Sequence, residues 1–211
     1  MKAIVVLLLS ASSAGSVLVR DLRGAGDLFA TASLLRATFA PSSNPISSTA
    51  IVAEHVVGLR ERGSANIQLV ACREDNSIVG FVEVYTPEFL ASTAGDAYPE
   101  RVRSKLKPYV ASLAVASDVR RRGFGRALME AAEQRVVARG GPLMLSLEVE
   151  EGDVPASALY SSLGYSLVSR DVNGRRLDGD IFFGSSVPVT KLAYEKVLSG
   201  VIRVGTSTCG A

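Results

Sequence analysis

One segment constrains the fold more than any other. Tyr109 to Val115 (Tyr-Val-Ala-Ser-Leu-Ala-Val) is a β-prone apolar run, and Arg120-Arg121-Arg122-Gly123-Phe124-Gly125 follows it after four residues. From Gly125 to Arg139 apolar residues recur at helical spacing, with Ala127, Leu128, Ala131, Ala132 and Val136 on one side. Gly140-Gly141-Pro142 stops that helix. A strand that passes through a short basic turn into an amphipathic helix buries both elements against one sheet, which is the layering of an α/β domain.

The flanking chain extends the pattern. Ser16 to Arg20 alternates like a strand, and Asp27 to Phe39 repeats Leu28, Phe29, Ala32, Leu35 and Phe39 at helical spacing. Ala40 to Asn44 reads as a loop, and Ser47 or Ser48 caps a second helix running to Arg62. Ile67 to Cys72 and Ile78 to Tyr85 read as a hairpin about Glu74-Asp75-Asn76. Thr86 to Lys107, with Pro87, Gly95 and Pro99, reads as an inserted polar loop. Leu143 to Val149 is a strand, Pro155 to Leu163 a short helix, and Tyr165 to Ser169 and Val189 to Lys196 are closing strands. The order β-α-α-β-β-β-α-β-α-β-β is mixed α/β.

The composition excludes several functions. With 23 basic and 21 acidic residues the net charge is +2, too balanced for a general nucleic-acid coat. One histidine, His55, and two cysteines, Cys72 and Cys209, are too few for a zinc finger or a disulfide scaffold, so no metal is expected. No Gly-x-Ser-x-Gly elbow supports a serine nucleophile. No segment is long and apolar enough for a transmembrane helix, so no membrane partner is expected. Ala3 to Leu9 is an apolar run followed by small residues. It reads as a short secretory leader, as part of an organelle-targeting leader, or as a poorly ordered extension or extra strand. The expected organisation is an extension over 1–16, one domain over 17–198 and a tail over 199–211, in a cytoplasmic or plastid protein.

The basic turn carries the chemistry. Gly123 and Gly125 let backbone N–H groups approach an anion closely, and the helix that starts there adds its positive end. Arg120, Arg121, Arg122 and Arg126 surround the turn, which suits a pyrophosphate. The Gly-Lys-Ser/Thr of a nucleotide-triphosphate loop is missing, and Leu128 stands where a dinucleotide fingerprint has its third glycine.

Arg120-x-x-Gly123-x-Gly125 directly after Leu113-Ala114-Val115 resembles the acetyl-CoA signature of the GNAT superfamily of N-acetyltransferases. Leu147-Glu148-Val149, Asp153, Ala156, Leu159-Tyr160 and Gly164-Tyr165 resemble that superfamily's second block. From Leu113 to Tyr165 the chain is similar to bacterial ribosomal-protein-alanine N-acetyltransferases, and Val189 to Leu198 resembles plant plastid acetyltransferases. The resemblance implies a mixed, mostly antiparallel central sheet with flanking helices. It implies acetyl-CoA as co-substrate and a primary-amine acceptor, a protein N-terminus or lysine before a small molecule, attacked directly. A non-catalytic acyl-CoA-binding module is the rival reading.

By the same resemblance, the backbone of Leu113, Ala114 and Val115 holds the pantetheine arm. Arg120, Arg121, Arg122, Gly123, Phe124, Gly125 and Arg126 hold the pyrophosphate. Tyr160 protonates the departing thiolate and touches the cofactor, and Glu148 is the base. An ammonium attacks only after losing a proton, from a reference pKa of about 8 for an α-amino group or about 10.4 for lysine. The plainer readings are a packed tyrosine at a helix end and a solvent-facing strand glutamate. Asp153, a further cofactor position, stands where the family has Asn, and a carboxylate accepts but cannot donate as an amide does. The acidic cluster Glu148, Glu150, Glu151 and Asp153 reads as a field that draws a cationic acceptor.

Overall fold

An eight-stranded sheet forms the frame, in a computed structural model that describes residues 7–9, 17–39, 45–94, 106–140, 143–178 and 185–199. In chain order the strands are β1 (Leu7–Leu9), β2 (Val17–Asp21), β3 (Ile67–Cys72), β4 (Ile78–Tyr85), β5 (Tyr109–Val115), β6 (Met144–Glu150) and β7 (Ser166–Asp171). They are followed by β8 (Arg175–Asp178), β9 (Ser185–Pro188) and β10 (Lys191–Val197). The sheet order is β1-β2-β3-β4-β5-β6-β10-β7, and β8 with β9 makes a separate hairpin. Every neighbouring pair is antiparallel except β5 with β6. The mixed, mostly antiparallel sheet expected from the sequence is therefore the sheet observed.

The helices are α1 (Gly24–Phe39), α2 (Pro45–Arg62), α3 (Pro87–Ala94), α4 (Phe124–Ala138) and α5 (Val154–Ser162). One sheet face buries Leu69, Val82, Val84, Leu145 and Leu147 against Leu128, Met129, Ala132 and Val136 of α4 and Tyr160 of α5. The other face buries Val70, Cys72, Phe81 and Ala114 against Ala32, Leu34 and Leu35 of α1 and Leu59 of α2. Strands β3 and β4 are therefore buried on both faces and read as continuous apolar runs rather than alternating ones. Cys72 lies in this core as a fully buried thiol.

Glu83 places a charge in that core. It is 1% exposed, yet it accepts hydrogen bonds from Arg62 Nε and Nη2, both 3.1 Å, and from Gln68 Nε2 at 2.9 Å. The buried charge is paired and hydrogen-bonded, the condition under which burial is tolerated. It ties the C-terminal end of α2 to β3 and β4.

The segment expected to be an inserted loop, Thr86 to Lys107, contains α3 instead. Thr86 Oγ1 accepts from the Phe89 backbone N–H at 3.2 Å, and Pro87 occupies the first helical position, where its missing N–H costs nothing. Pro87 thus starts a helix rather than breaking one; residues 95–105 lie outside the described residues. The apolar N-terminal run forms β1 at Leu7–Leu9, paired antiparallel with β2. The rest of 1–16, and the tail beyond Ser199, lie outside the described residues. Among those described, no helix is long and apolar enough to cross a membrane.

Candidate active site

Strands β5 and β6 start as a parallel pair and then part. They pair at Tyr109↔Ser146 and Val110↔Leu147, with no further pair among the described residues. Ser146 fastens the start, its backbone N–H donating 3.0 Å and its Oγ donating 3.1 Å to the Pro108 carbonyl. Beyond Val110 the β6-facing backbone of β5 has no strand partner among the described residues. On its other side, β5 carries a bulge: Glu83↔Ser112 is followed by Val84↔Val110, so Ala111 is an extra residue. The parted strands open a groove of about 1380 Å³ that runs from the start of α4 to the β8–β9 hairpin.

The basic turn forms one end. Arg121 (φ +66°) and Gly123 (φ +88°) both adopt the left-handed conformation, and Gly123 is the N-cap of α4. Glycine meets this without strain, whereas a non-glycine in that region costs on the order of 1–2 kcal/mol. No side chain among the described residues caps α4. Its first N–H groups lack intrahelical acceptors, and Gly123, Phe124, Gly125 and Arg126 at this positive end of the helix dipole line the groove. Arg120 and Arg126 brace the turn. Arg120 Nε donates to the Val115 carbonyl at 3.1 Å, and Arg126 Nη2 donates to Ser162 Oγ at 2.7 Å. An ion pair between Arg73 and Asp118 holds the preceding turn of 3₁₀ helix, Ser117–Val119.

Tyr160 and Glu148 lie further along the same groove. Tyr160 is 6% exposed and sits between Tyr165 and Tyr194, with ring centroids 5.9 and 6.2 Å away. Burial, then the charge of Asp153 and then Tyr109, pushes its hydroxyl well above the usual tyrosine value, so it holds its proton. Leu145, Leu147 and Val149 face α4 and α5. By alternation Ser146, Glu148 and Glu150 face the opposite way. Tyr109 shares the site: burial first, then the Glu148 carboxylate, pushes its hydroxyl up to about 12.

Residues 33–165 match the sequence model of the Acetyltransferase (GNAT) family. The chain belongs to that family. It is an acyltransferase. The GNAT fold is also that of the similar solved structures. The ribosomal-protein-S18-alanine N-acetyltransferase from Escherichia coli is 18% identical, covers 89% of this chain and 98% of its own, and superposes with a TM-score of 0.58. The ribosomal-protein-alanine N-acetyltransferase from Brucella melitensis is 20% identical, with coverages of 86% and 99% and a TM-score of 0.62. A phosphinothricin acetyltransferase from Sinorhizobium meliloti in complex with AcCoA is 16% identical, with coverages of 86% and 88% and a TM-score of 0.59. At the level of sequence no curated protein matches the chain.

GNAT enzymes use acetyl-CoA, and this groove has the donors such a ligand needs: arginines and, among the described residues, uncapped helix N–H groups and a strand edge without a partner. Of the residues expected to hold it, Leu113, Val115, Arg120, Arg121, Gly123, Phe124, Gly125, Arg126, Asp153 and Tyr160 line the groove. Arg122 is exposed and is not among the lining residues, and the Ala114 side chain is buried in the α1–α2 core. Asp153 also serves the fold. Its Oδ1 accepts from the Ala156 backbone N–H at 3.0 Å, capping α5. Asp caps a helix as well as Asn, so the substitution leaves the start of α5 intact.

The acidic cluster is not the open field its sequence suggests. Glu148 pairs with Lys191 at 3.4 Å, Glu150 with Arg176 at 2.8 Å and Glu151 with Arg170 at 2.7 Å. Their cationic partners lie on β10, β8 and β7, 19 to 43 residues away in the chain. Tyr109, Arg175, Arg176 and Lys191 also line the groove, and none of the four is singled out individually by the sequence. For Tyr109 the signal is present, since it opens the strand that precedes the basic turn. For the three cations no local pattern exists to find them.

Proposed function

We propose that this protein transfers the acetyl group of acetyl-CoA to a primary amine of a protein or peptide by direct attack. The observation that carries the reading is the parting of β5 and β6, with the anion-binding turn, Tyr160 and Glu148 along one groove. When bound, acetyl-CoA supplies the acetyl thioester. The N–H groups at the start of α4, with Arg121, would hold its pyrophosphate, and the unpaired edge of β5 would hydrogen-bond its pantetheine arm as a further strand would. A β5 backbone N–H facing the groove can polarise the thioester carbonyl. By alternation from the Ala116 N–H, which donates to the Val79 carbonyl, the backbone of Ala114 faces Phe81 of β4, so Leu113 and Val115 present the groove-side N–H groups and Ala114 only holds β5 in place; Arg122 acts through its charge near the turn.

Glu148 accepts the proton that the acceptor ammonium must lose. Tyr160 holds a proton for the departing thiolate. Burial that raises the tyrosine also makes a thiolate formed there more basic, which keeps that transfer matched. Cys72, the one cysteine among the described residues, is fully buried outside the groove, which favours direct attack over an acyl-enzyme. The two ribosomal-protein-alanine acetyltransferases among the similar structures support a peptide α-amine as acceptor. The groove end is flanked by Thr38 and Phe39 of α1 and by the β8–β9 hairpin.

The test is thiol release from acetyl-CoA with a panel of peptides, lysine derivatives and small amines. Turnover on peptides with the free thiol appearing in step supports the proposal. Tight CoA binding without turnover on any amine replaces it with a binding module.

A further inference from the structure

The carboxylate assigned as the base already has an ammonium beside it. Lys191 Nζ lies 3.4 Å from Glu148 Oε2, and both side chains line the groove. Glu148 is the first residue of β6 beyond the last pair with β5, Val110↔Leu147, so the contact sits at the apex where the strands part. In the antiparallel register of β10 on β6, Lys191 is opposite Glu150 and Ala193 opposite Glu148. Lys191 is thus a diagonal neighbour of Glu148 on the same face.

The stem of Lys191 is steered to this place. Gly174 is buried, and a Cβ built on it would come within 2.8 Å of Lys191 Cγ and 2.9 Å of the Val189 carbonyl oxygen. Only glycine lets the turn between β7 and β8 close over the lysine stem. The other described lysines are held elsewhere. Lys107 pairs with Glu195, and Lys196 Nζ lies 2.6 Å from Glu133 Oε2; neither lines the groove.

We propose that Lys191 is itself an acceptor, acetylated within its own chain when acetyl-CoA occupies the groove. The inference rests on the roles given above to Glu148 and Tyr160. Glu148 takes one proton from the Lys191 ammonium, and the freed nitrogen forms a bond to the acetyl carbonyl carbon. The carbon–sulfur bond breaks, its electron pair leaves with sulfur, and the Tyr160 proton neutralises the thiolate. The second nitrogen proton passes to solvent, from which Tyr160 is reprotonated. The products are an amide at Lys191, free CoA and one released proton. The amide carries no charge, so Glu148 loses its ion pair and is left open to an external amine.

The experiment incubates the full chain with acetyl-CoA labelled in the acetyl group, without added amine, and follows Lys191, Lys107 and Lys196 by peptide mass spectrometry. Labelling of Lys191 is expected to be independent of protein concentration and at least about tenfold faster than at the other two. Tyr160→Phe is expected to slow it at least about tenfold, the low end for loss of a general acid, without slowing them. Gly174→Ala, which leaves the groove carboxylates and tyrosines in place, is expected to slow it while CoA binding persists. Equal labelling of the three lysines, or labelling of Lys191 untouched by Tyr160→Phe, overturns the inference. A parallel run with the amine panel separates the two readings. Turnover on added amines with Lys191 unlabelled overturns self-acetylation alone, and turnover on neither overturns the acetyltransfer reading as well.

Discussion

The rings of Tyr160 and Tyr165 meet edge to face, with centroids 5.9 Å apart. The contact uses the ring of Tyr160 and leaves its hydroxyl to the groove. Tyr160→Phe is therefore expected to fold and bind acetyl-CoA like the parent, and to lower kcat by roughly 10- to 10⁴-fold, around the usual span for a general acid. Steady-state thiol release and calorimetric CoA binding on one preparation check this. An unchanged kcat would show that the leaving group takes its proton from water.

Gly125 stands one residue inside α4, where a Cβ would lie 3.3 Å from Leu159 Cδ2 and 3.8 Å from Val115 Cγ2. Gly125→Asp adds a carboxylate where the pyrophosphate is proposed to lie and crowds Leu159. Loss of charge-assisted hydrogen bonds worth about 1.5–3 kcal/mol is expected to weaken acetyl-CoA binding at least about tenfold. Calorimetry on a variant with a native circular-dichroism spectrum reads it. An unaltered Kd would remove the pyrophosphate from this turn.

Glu148 and Glu150 lie on one strand face but are predicted to behave differently. Glu148→Gln is expected to depress kcat with little change in the acceptor KM, because it removes the proton acceptor. Glu150→Gln breaks only the exposed pair with Arg176, worth about 0–1 kcal/mol, and is expected to change the acceptor KM less than about fivefold. Equal small KM effects from both would reduce Glu148 to a part of the groove's charge balance.

Asp153 is predicted to matter for stability. Asp153→Ala removes the cap of α5 and is expected to cost about 1 kcal/mol in urea unfolding, whereas Asp153→Asn retains the acceptor oxygen and stays near the parent. A loss of CoA affinity in Asp153→Asn without loss of stability would instead mark the carboxylate as a ligand contact.

Much of the site is legible in the sequence because it is local. The turn from Arg120 to Gly125, the helix it opens and the short helix carrying Tyr160 each rest on neighbouring residues, whose chemistry predicts their geometry. The helix α3 is hidden because Pro87 serves a helix start as readily as a loop, and only the Thr86 cap distinguishes the two.

The sequence by itself determined the α/β layering, the basic glycine turn between strand and helix, and the strand and short helix that carry Glu148 and Tyr160. It could not determine the electrostatics of the acceptor end. Along the chain, Glu148, Glu150 and Glu151 are an acidic run. In the fold they are matched by Lys191, Arg176 and Arg170. That match depends on β10 inserting between β6 and β7, an order that no local run of residues encodes. Charge pairing falls off over a few ångströms while chain separation runs to tens of residues. Tertiary structure therefore decided which charges the groove presents.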